Sequence, residues 1–273
     1  AATYTWSPSN GLSSITDSVI TATPTSTITY TVTATNGGGC TSSRTITLTV
    51  SQPPTVTFNS PAAVCSNTGA FALSTGSPVG GTYSGTGVSG NVFNPAIAGV
   101  GTTSLTYSYT DAGGCSASAT SSIVVNAIPT VTLSAFNPIC QSASLLTLTG
   151  GSPAGGTYSG TGVSTGKFNA ATAGPGTHTI TYSYTNGSGC TNTATSTIVV
   201  NPTPTVTLAA LAPACINSSP ITLSGGSPAG GTYSGTQVSG GIFNPQSAGV
   251  GTFLITYSYT DGNGCLSSAS SNI

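Results

Sequence analysis

One fixed interval governs this sequence: three stretches return at it, without a gap, along most of the chain. Pro54-Thr55-Val56-Thr57-Phe58 comes back as Pro129-Thr130-Val131-Thr132-Leu133 and as Pro204-Thr205-Val206-Thr207-Leu208. Gly80-Gly81-Thr82-Tyr83-Ser84-Gly85 recurs from Gly155 and from Gly230, and Thr106-Tyr107-Ser108-Tyr109-Thr110 recurs from Thr181 and from Thr256. A period of about 75 residues has to be read before any local pattern, because it sets the unit that must fold. The units run 53–127, 128–202 and 203–273, the last without the end of its final strand. Residues 1–52 read as the back part of a related but divergent domain without its opening strands. Its Thr35-Asn36-Gly37-Gly38-Gly39-Cys40 stands one period before the stretch from Thr110 to Cys115.

Inside each unit the apolar residues alternate. Thr occupies every odd position from Thr25 to Thr35, while Ile28, Tyr30, Val32 and Ala34 hold even ones. Ile46, Leu48 and Val50 alternate with Thr45, Thr47 and Thr49, and Leu105, Tyr107 and Tyr109 repeat the scheme. Period two places one set of side chains against a core and the other in solvent. Asp111-Ala112-Gly113-Gly114, Asn186-Gly187-Ser188-Gly189 and Asp261-Gly262-Asn263-Gly264 punctuate the runs. An Asx side chain can bond the backbone just ahead of it, and Gly supplies positive φ. About seven short strands per unit and no amphipathic helix predict an all-β chain of tandem immunoglobulin-like β-sandwich repeats of about 75 residues. Pro129 and Pro204 stiffen very short junctions, so the repeats are expected to form a rod.

Charge excludes several functions. Only 2% of residues are charged, against roughly 25% in an average soluble domain. The acids are Asp17, Asp111 and Asp261, the bases Arg44 and Lys167, and the one histidine His178. Such a chain has no electrostatic hold on nucleic acid, and no apolar run approaches the ~18 residues of a membrane-spanning helix. The three acids are too scattered for a paired-carboxylate site or a calcium cage. His178 stands where the other repeats have Thr103 and Phe253, and Lys167 where they have Val92 and Ile242, so neither belongs to a catalytic set. Gly85-Thr86-Gly87-Val88-Ser89-Gly90 matches a dinucleotide fingerprint but lacks its helix and acid. The chain is not expected to be an enzyme, and no cofactor, metal or catalytic residue is expected. Trp6 and the tyrosines read as core residues rather than as sugar-stacking platforms.

Cysteines stand at 40, 65, 115, 140, 190, 215 and 265, so that each short gap is followed by one twice as long. Such regularity in a loop-rich chain implies disulfides. One scheme pairs within repeats: Cys65–Cys115, Cys140–Cys190 and Cys215–Cys265, with Cys40 joined to an upstream residue. The other crosses boundaries: Cys40–Cys65, Cys115–Cys140 and Cys190–Cys215. The first is expected, because each repeat then folds as its own unit. It requires the stretch from Asn59 to Cys65 to cross back from one end of the sandwich to the other.

Two signatures carry a family resemblance. Tyr4-Thr5-Trp6-Ser7-Pro8-Ser9-Asn10-Gly11-Leu12, followed by Thr29-Tyr30-Thr31-Val32-Thr33 and Gly39-Cys40, resembles a PKD-like module. The Gly-Thr-x-x-Ile/Leu-Thr-Tyr-Ser-Tyr-Thr-Asp/Asn pattern ending in Gly-Cys, at 101–115, 176–190 and 251–265, resembles HYR-like immunoglobulin-fold repeats of Bacteroidota surface proteins. The resemblance implies export by the type IX system, an extracellular, cell-surface location, and a role in adhesion, gliding or surface fibres. It also implies an O-glycan on Ser18, since Asp17-Ser18-Val19 resembles the short acceptor of exported proteins in that phylum. The expected function is a structural or adhesive stalk that associates with its own copies into a filament or surface layer, with surface glycans as further partners. The alternative is a glycan-binding module or a spacer within a secreted hydrolase.

Overall fold

The computed structural model describes residues 1–273, and the chain is all-β. It divides into two compact units, Ala1–Ala127 and Ile128–Ile273.

The first unit begins with a three-stranded antiparallel sheet, Thr3–Ser7, Ile28–Thr35 and Thr41–Leu48, with Ile28–Thr35 in the middle. Tyr30 fills its core at 1% exposure and donates its hydroxyl to the carbonyl of Asn10. Half-buried Trp6 donates from Nε1 to the Asp17 carbonyl, 3.1 Å away. These two bonds tie the loop between the first strands to the sheet.

Residues 53–127 build a sandwich. The larger sheet runs Val64–Cys65, Ser116–Asn126, Gly101–Thr110, Thr82–Gly85. Facing it are Phe71–Ala72, Val92–Phe93 and Val88–Ser89, and a further pair, Thr57–Phe58 with Gly76–Ser77. The strands are more numerous and shorter than the sequence predicts, because two-residue pairings are invisible to a search for alternation. The long hairpin obeys that alternation. Leu105 and Ile123 are at 0% exposure and Tyr107 at 2%, whereas Ser104 and Ser108 face solvent. Phe93 closes the core from the opposing sheet at 0%. One helical turn, Pro95–Ala98, follows Asn94, whose side chain caps it by accepting from the amide of Ala96.

The second unit repeats this plan twice. Residues 128–202 form the sheet Ile139–Cys140, Thr191–Asn201, Gly176–Thr185, Thr157–Ser159, with Phe168, Ile180 and Ile198 at 0% exposure. Residues 203–273 form Thr232–Gly235, Leu254–Thr260, Leu266–Asn272 around Phe243 and Ile255. Core residues thus recur at the sequence period.

A tyrosine explains the verbatim return of Gly-Ser-Pro-x-Gly-Gly-Thr-Tyr. The Tyr182 ring lies on Gly151, where a Cβ would come within 2.6 Å of it. Its hydroxyl accepts from the Gly156 amide at 2.8 Å and donates to the Pro153 carbonyl. The next ring, Tyr158, accepts from the Gly151 amide at 2.9 Å. Tyr107 and Tyr257 are held in the same way. Only Gly lets backbone and ring approach so closely, and the hydroxyl satisfies a half-buried amide and carbonyl of the turn. The Ser77–Pro78, Ser152–Pro153 and Ser227–Pro228 peptide bonds of these turns are cis.

Candidate functional site

The cysteines occupy two kinds of position. One kind ends a hairpin loop. In each hairpin an Asx side chain accepts from the cysteine amide: Asn36 from Cys40 at 3.0 Å, Asp111 from Cys115 at 2.9 Å, Asn186 from Cys190 at 3.0 Å and Asp261 from Cys265 at 2.8 Å. The Asx amide in turn donates to the cysteine carbonyl, at 3.0 Å in all four. The other kind opens a repeat. Cys65 and Cys140 lie on two-residue strands that run parallel to the final strand of their own repeat, Cys65 opposite Asn126 and Cys140 opposite Asn201.

These placements put the two kinds at opposite ends of a repeat. Cys190 immediately precedes the strand Thr191–Asn201, and Cys140 sits beside that strand's last residue. Eleven residues of strand span roughly 35 Å, far beyond the ~7 Å limit between the Cα atoms of a disulfide. The hairpin lies at the leading end, where the Asn192 side chain donates to the Pro129 carbonyl at 2.9 Å. The opening cysteine lies at the trailing end, next to the start of the following repeat.

The structure accordingly joins Cys140 to Cys265, 125 residues on, with Cα atoms 5.5 Å apart. The opening cysteine of one repeat is bonded to the hairpin cysteine of the next. This corrects the expected Cys140–Cys190 and Cys215–Cys265 pairs, and the boundary-crossing Cys115–Cys140 and Cys190–Cys215 pairs as well. Cys115 is a half-buried thiol, so Cys65–Cys115 is not formed either; those two residues stand at opposite ends of Ser116–Asn126. Cys65 and Cys190 are disulfide-bonded. Cys40 and Cys215 are exposed thiols. No spacing in the sequence reveals this pairing; it needs the strand placements. Once the two cysteines of a repeat are placed at opposite ends of it, a partner in the adjoining repeat is the nearest available.

The remaining polar candidates are dispersed. The half-buried His178 has Nε2 2.8 Å from the Gly174 carbonyl and its ring 6.0 Å from that of Phe168. Lys167 is exposed on the middle strand of a small three-stranded sheet. Asp111 and Asp261 are engaged as turn acceptors, and no three metal-ligating side chains gather. The Gly85–Gly90 stretch runs from the end of one strand through a turn at Thr86–Gly87 into the strand Val88–Ser89. Ser18 is exposed in a bend beside Val19, which is 87% exposed. No Trp, Tyr or Phe is exposed, so the surface has no row of aromatic rings for a sugar to stack on. What the faces carry is hydroxyl groups bonded across strands: Thr29 to Thr47 at 2.7 Å, Thr185 to Thr191 at 2.7 Å and Thr256 to Ser270 at 2.9 Å. No helix is long and apolar enough to cross a membrane.

No protein-family model matches the chain, and no curated protein is similar to it at a significant level. Among solved structures, a calcium-stabilised adhesin with which an Antarctic bacterium binds ice is 16% identical. It covers 99% of this chain and 88% of its own, with a TM-score of 0.36. The EC3–6 cis-dimer structure of protocadherin gammaB7 is 12% identical over 99% of this chain and 92% of its own, with a TM-score of 0.26. The human desmocollin-1 ectodomain is 12% identical over 100% and 71%, with a TM-score of 0.27.

Proposed function

We propose that this chain is a segment of a structural and adhesive stalk, displayed outside a bacterial cell on a large surface protein and self-associating through its neutral faces. Each repeat acts as one domain, with boundaries at 53–127, 128–202 and 203–273 after the module 1–52. The observation that carries this reading is the Cys140–Cys265 bond between consecutive repeats. A bond across a junction transmits tension from repeat to repeat without relying on hydrogen bonds. It also belongs to an oxidising, extracellular setting. Thr and Ser faces have no ions to desolvate and little charge to keep copies apart, which favours assembly into a filament or layer.

Single-molecule stretching tests the mechanical role. The oxidised chain is expected to unfold against resistance and to withhold the stretch from Cys140 to Cys265, a sequence separation of 125 and a length of roughly 400 Å at ~3.3–3.6 Å per residue, until reductant is added. A chain that extends without unfolding peaks overturns the reading. Antibody labelling of intact source cells tests location: surface label is expected, and label seen only after lysis counts against it.

A further inference from the structure

We propose that a cleft on the outer face of the small sheet in residues 128–202 receives the Ile15–Val19 loop of a second copy, with Asp17 set against Lys167; this names one contact of the self-association reading above and rests on it.

Leu146–Thr147, Lys167–Phe168 and Val163–Ser164 form that sheet, with Lys167–Phe168 in the middle. Phe168 turns inward at 0% exposure, so Lys167 points out, between Thr147 on one side and Ser164 on the other. Lys167 and Ser164 line a cleft of about 410 Å³ with Leu145, Thr165, Asn169 and Thr172, a volume within the ~300–1,000 Å³ of ligand sites. The same hollow recurs one period on, at about 450 Å³, over Val238, Ser239 and Asn244. There Ile242 stands in place of Lys167. The frame is shared and the ammonium is not. Lys167 is the one lysine of the sequence, and residues 128–202 contain no acid, so its own repeat offers it no counter-charge.

The backbone marks the same place. A two-residue turn, Thr165-Gly166, joins two of these strands with φ of 48° and 73°. Positive φ at both positions favours Gly and Asn, and the sister turns are Gly90-Asn91 and Gly240-Gly241. A β-branched residue there is an outlier. Strain of this kind collects at binding sites, and here it lies in the lining of the cleft, two residues from Lys167.

The loop is the complementary half. The Trp6 amide donates to the Ile15 carbonyl at 2.8 Å and Trp6 Nε1 to the Asp17 carbonyl at 3.1 Å, while the Ser13 amide donates to the Thr21 carbonyl at 2.9 Å. A loop fastened in this way loses little freedom on docking. It presents Val19 at 87% and Ile15 at 47% exposure, with the exposed Asp17 between them. Asp111 and Asp261 are committed to their hairpin loops, so Asp17 is the acid left to meet a base. The loop is an apolar knob with one negative charge, and the cleft a hollow with exposed Leu145 and one positive charge. Knob and cleft are different surfaces, so every copy offers one of each. Contacts of that heterologous kind add copies in series, as a filament requires.

Sedimentation of the full chain, made without a glycan on Ser18 because that residue lies in the loop, measures the contact. The chain is expected to associate, and to do so less as salt rises from about 0.1 M to about 1 M and the Debye length falls from ~10 Å to ~3 Å. Lys167→Ile, which supplies the residue of the sister cleft, and Asp17→Asn are each expected to weaken association about 10-fold or more. Arg44→Gln, at the other base, is expected to leave it unchanged. A retained Cys140–Cys265 peptide reports that each variant is folded. Lys167→Asp and Asp17→Lys are each expected to be monomeric alone and to associate when mixed in equal amounts, since each then supplies the charge that the other needs. A mixture that stays monomeric overturns the proposal. So does a loss with Lys167→Ile but not with Asp17→Asn, which gives the cleft to another acid, such as a carboxylated sugar. Association that neither substitution weakens sinks this contact alone. A strict monomer at low salt sinks the self-association reading with it.

Discussion

Residues 1–52 and 53–127 use the same pair of long antiparallel strands and protect them differently. In residues 53–127, Ile123 and Val125 are at 0% and 1% exposure, in one core cluster with Phe93 of the opposing sheet and with Leu73. The counterparts one period earlier, Leu48 and Val50, are half-buried, and Ile46 is 52% exposed. The first module has a loop over part of its sheet, fastened by Trp6 and Tyr30, rather than a second sheet. Alternation therefore decides which side chains share a face. Whether that face is dry depends on what lies opposite, and burial, not patterning, is what stabilises.

The comparison can be broken at its strongest point first. Ile123→Ala is expected to cost about 2–5 kcal/mol, whereas Leu48→Ala at the matching position is expected to cost about half as much, since less apolar surface is removed from a dry contact. Amide hydrogen exchange read module by module measures the two separately. Equal losses would mean that the cover over the first module is as tight as a second sheet.

Next in size is the ring-on-glycine contact, which the first module lacks. Gly151→Ala places a methyl carbon within 2.6 Å of the Tyr182 ring, and forcing the two apart is expected to cost about 1–3 kcal/mol. Tyr182→Phe keeps the ring and removes the bonds to Gly156 and Pro153, leaving a half-buried amide and carbonyl without that partner, at a cost of about 1 kcal/mol. Chemical denaturation of the two variants is expected to show loss in residues 128–202 with little change in residues 1–52. The smallest effect is expected at Ile46→Thr, which removes an exposed apolar group from an edge strand. Stability should move by no more than about 0.5 kcal/mol, while light scattering should show weaker self-association if that face takes part in it.

Much of the architecture was legible in the residues. The fixed interval located the repeats, and the Thr alternation picked out Leu105, Tyr107 and their counterparts as inward-facing. The recurring Gly-Gly-Thr-Tyr was visible as a motif, but neither the Gly-Ser-Pro ahead of it nor the role of the whole was. That it forms a seat for Tyr182, on a strand further along the chain, emerges only when the ring is placed over Gly151. Alternation records the faces of one strand and not contacts between sheets. The two-residue strands and the Asn-capped helical turns fall below the length at which any period can be counted.

The sequence by itself determined the all-β class, the repeat length and which side chains share a strand face, because these depend on local pattern. The cysteine pairing was decided by tertiary structure alone. Spacing ranks partners by distance along the chain, and on that measure Cys140 belongs with Cys190 or Cys115. In space an eleven-residue strand carries Cys140 and Cys190 to opposite ends of their repeat, while the hairpin of the following repeat brings Cys265 to 5.5 Å. A disulfide answers only to that second distance.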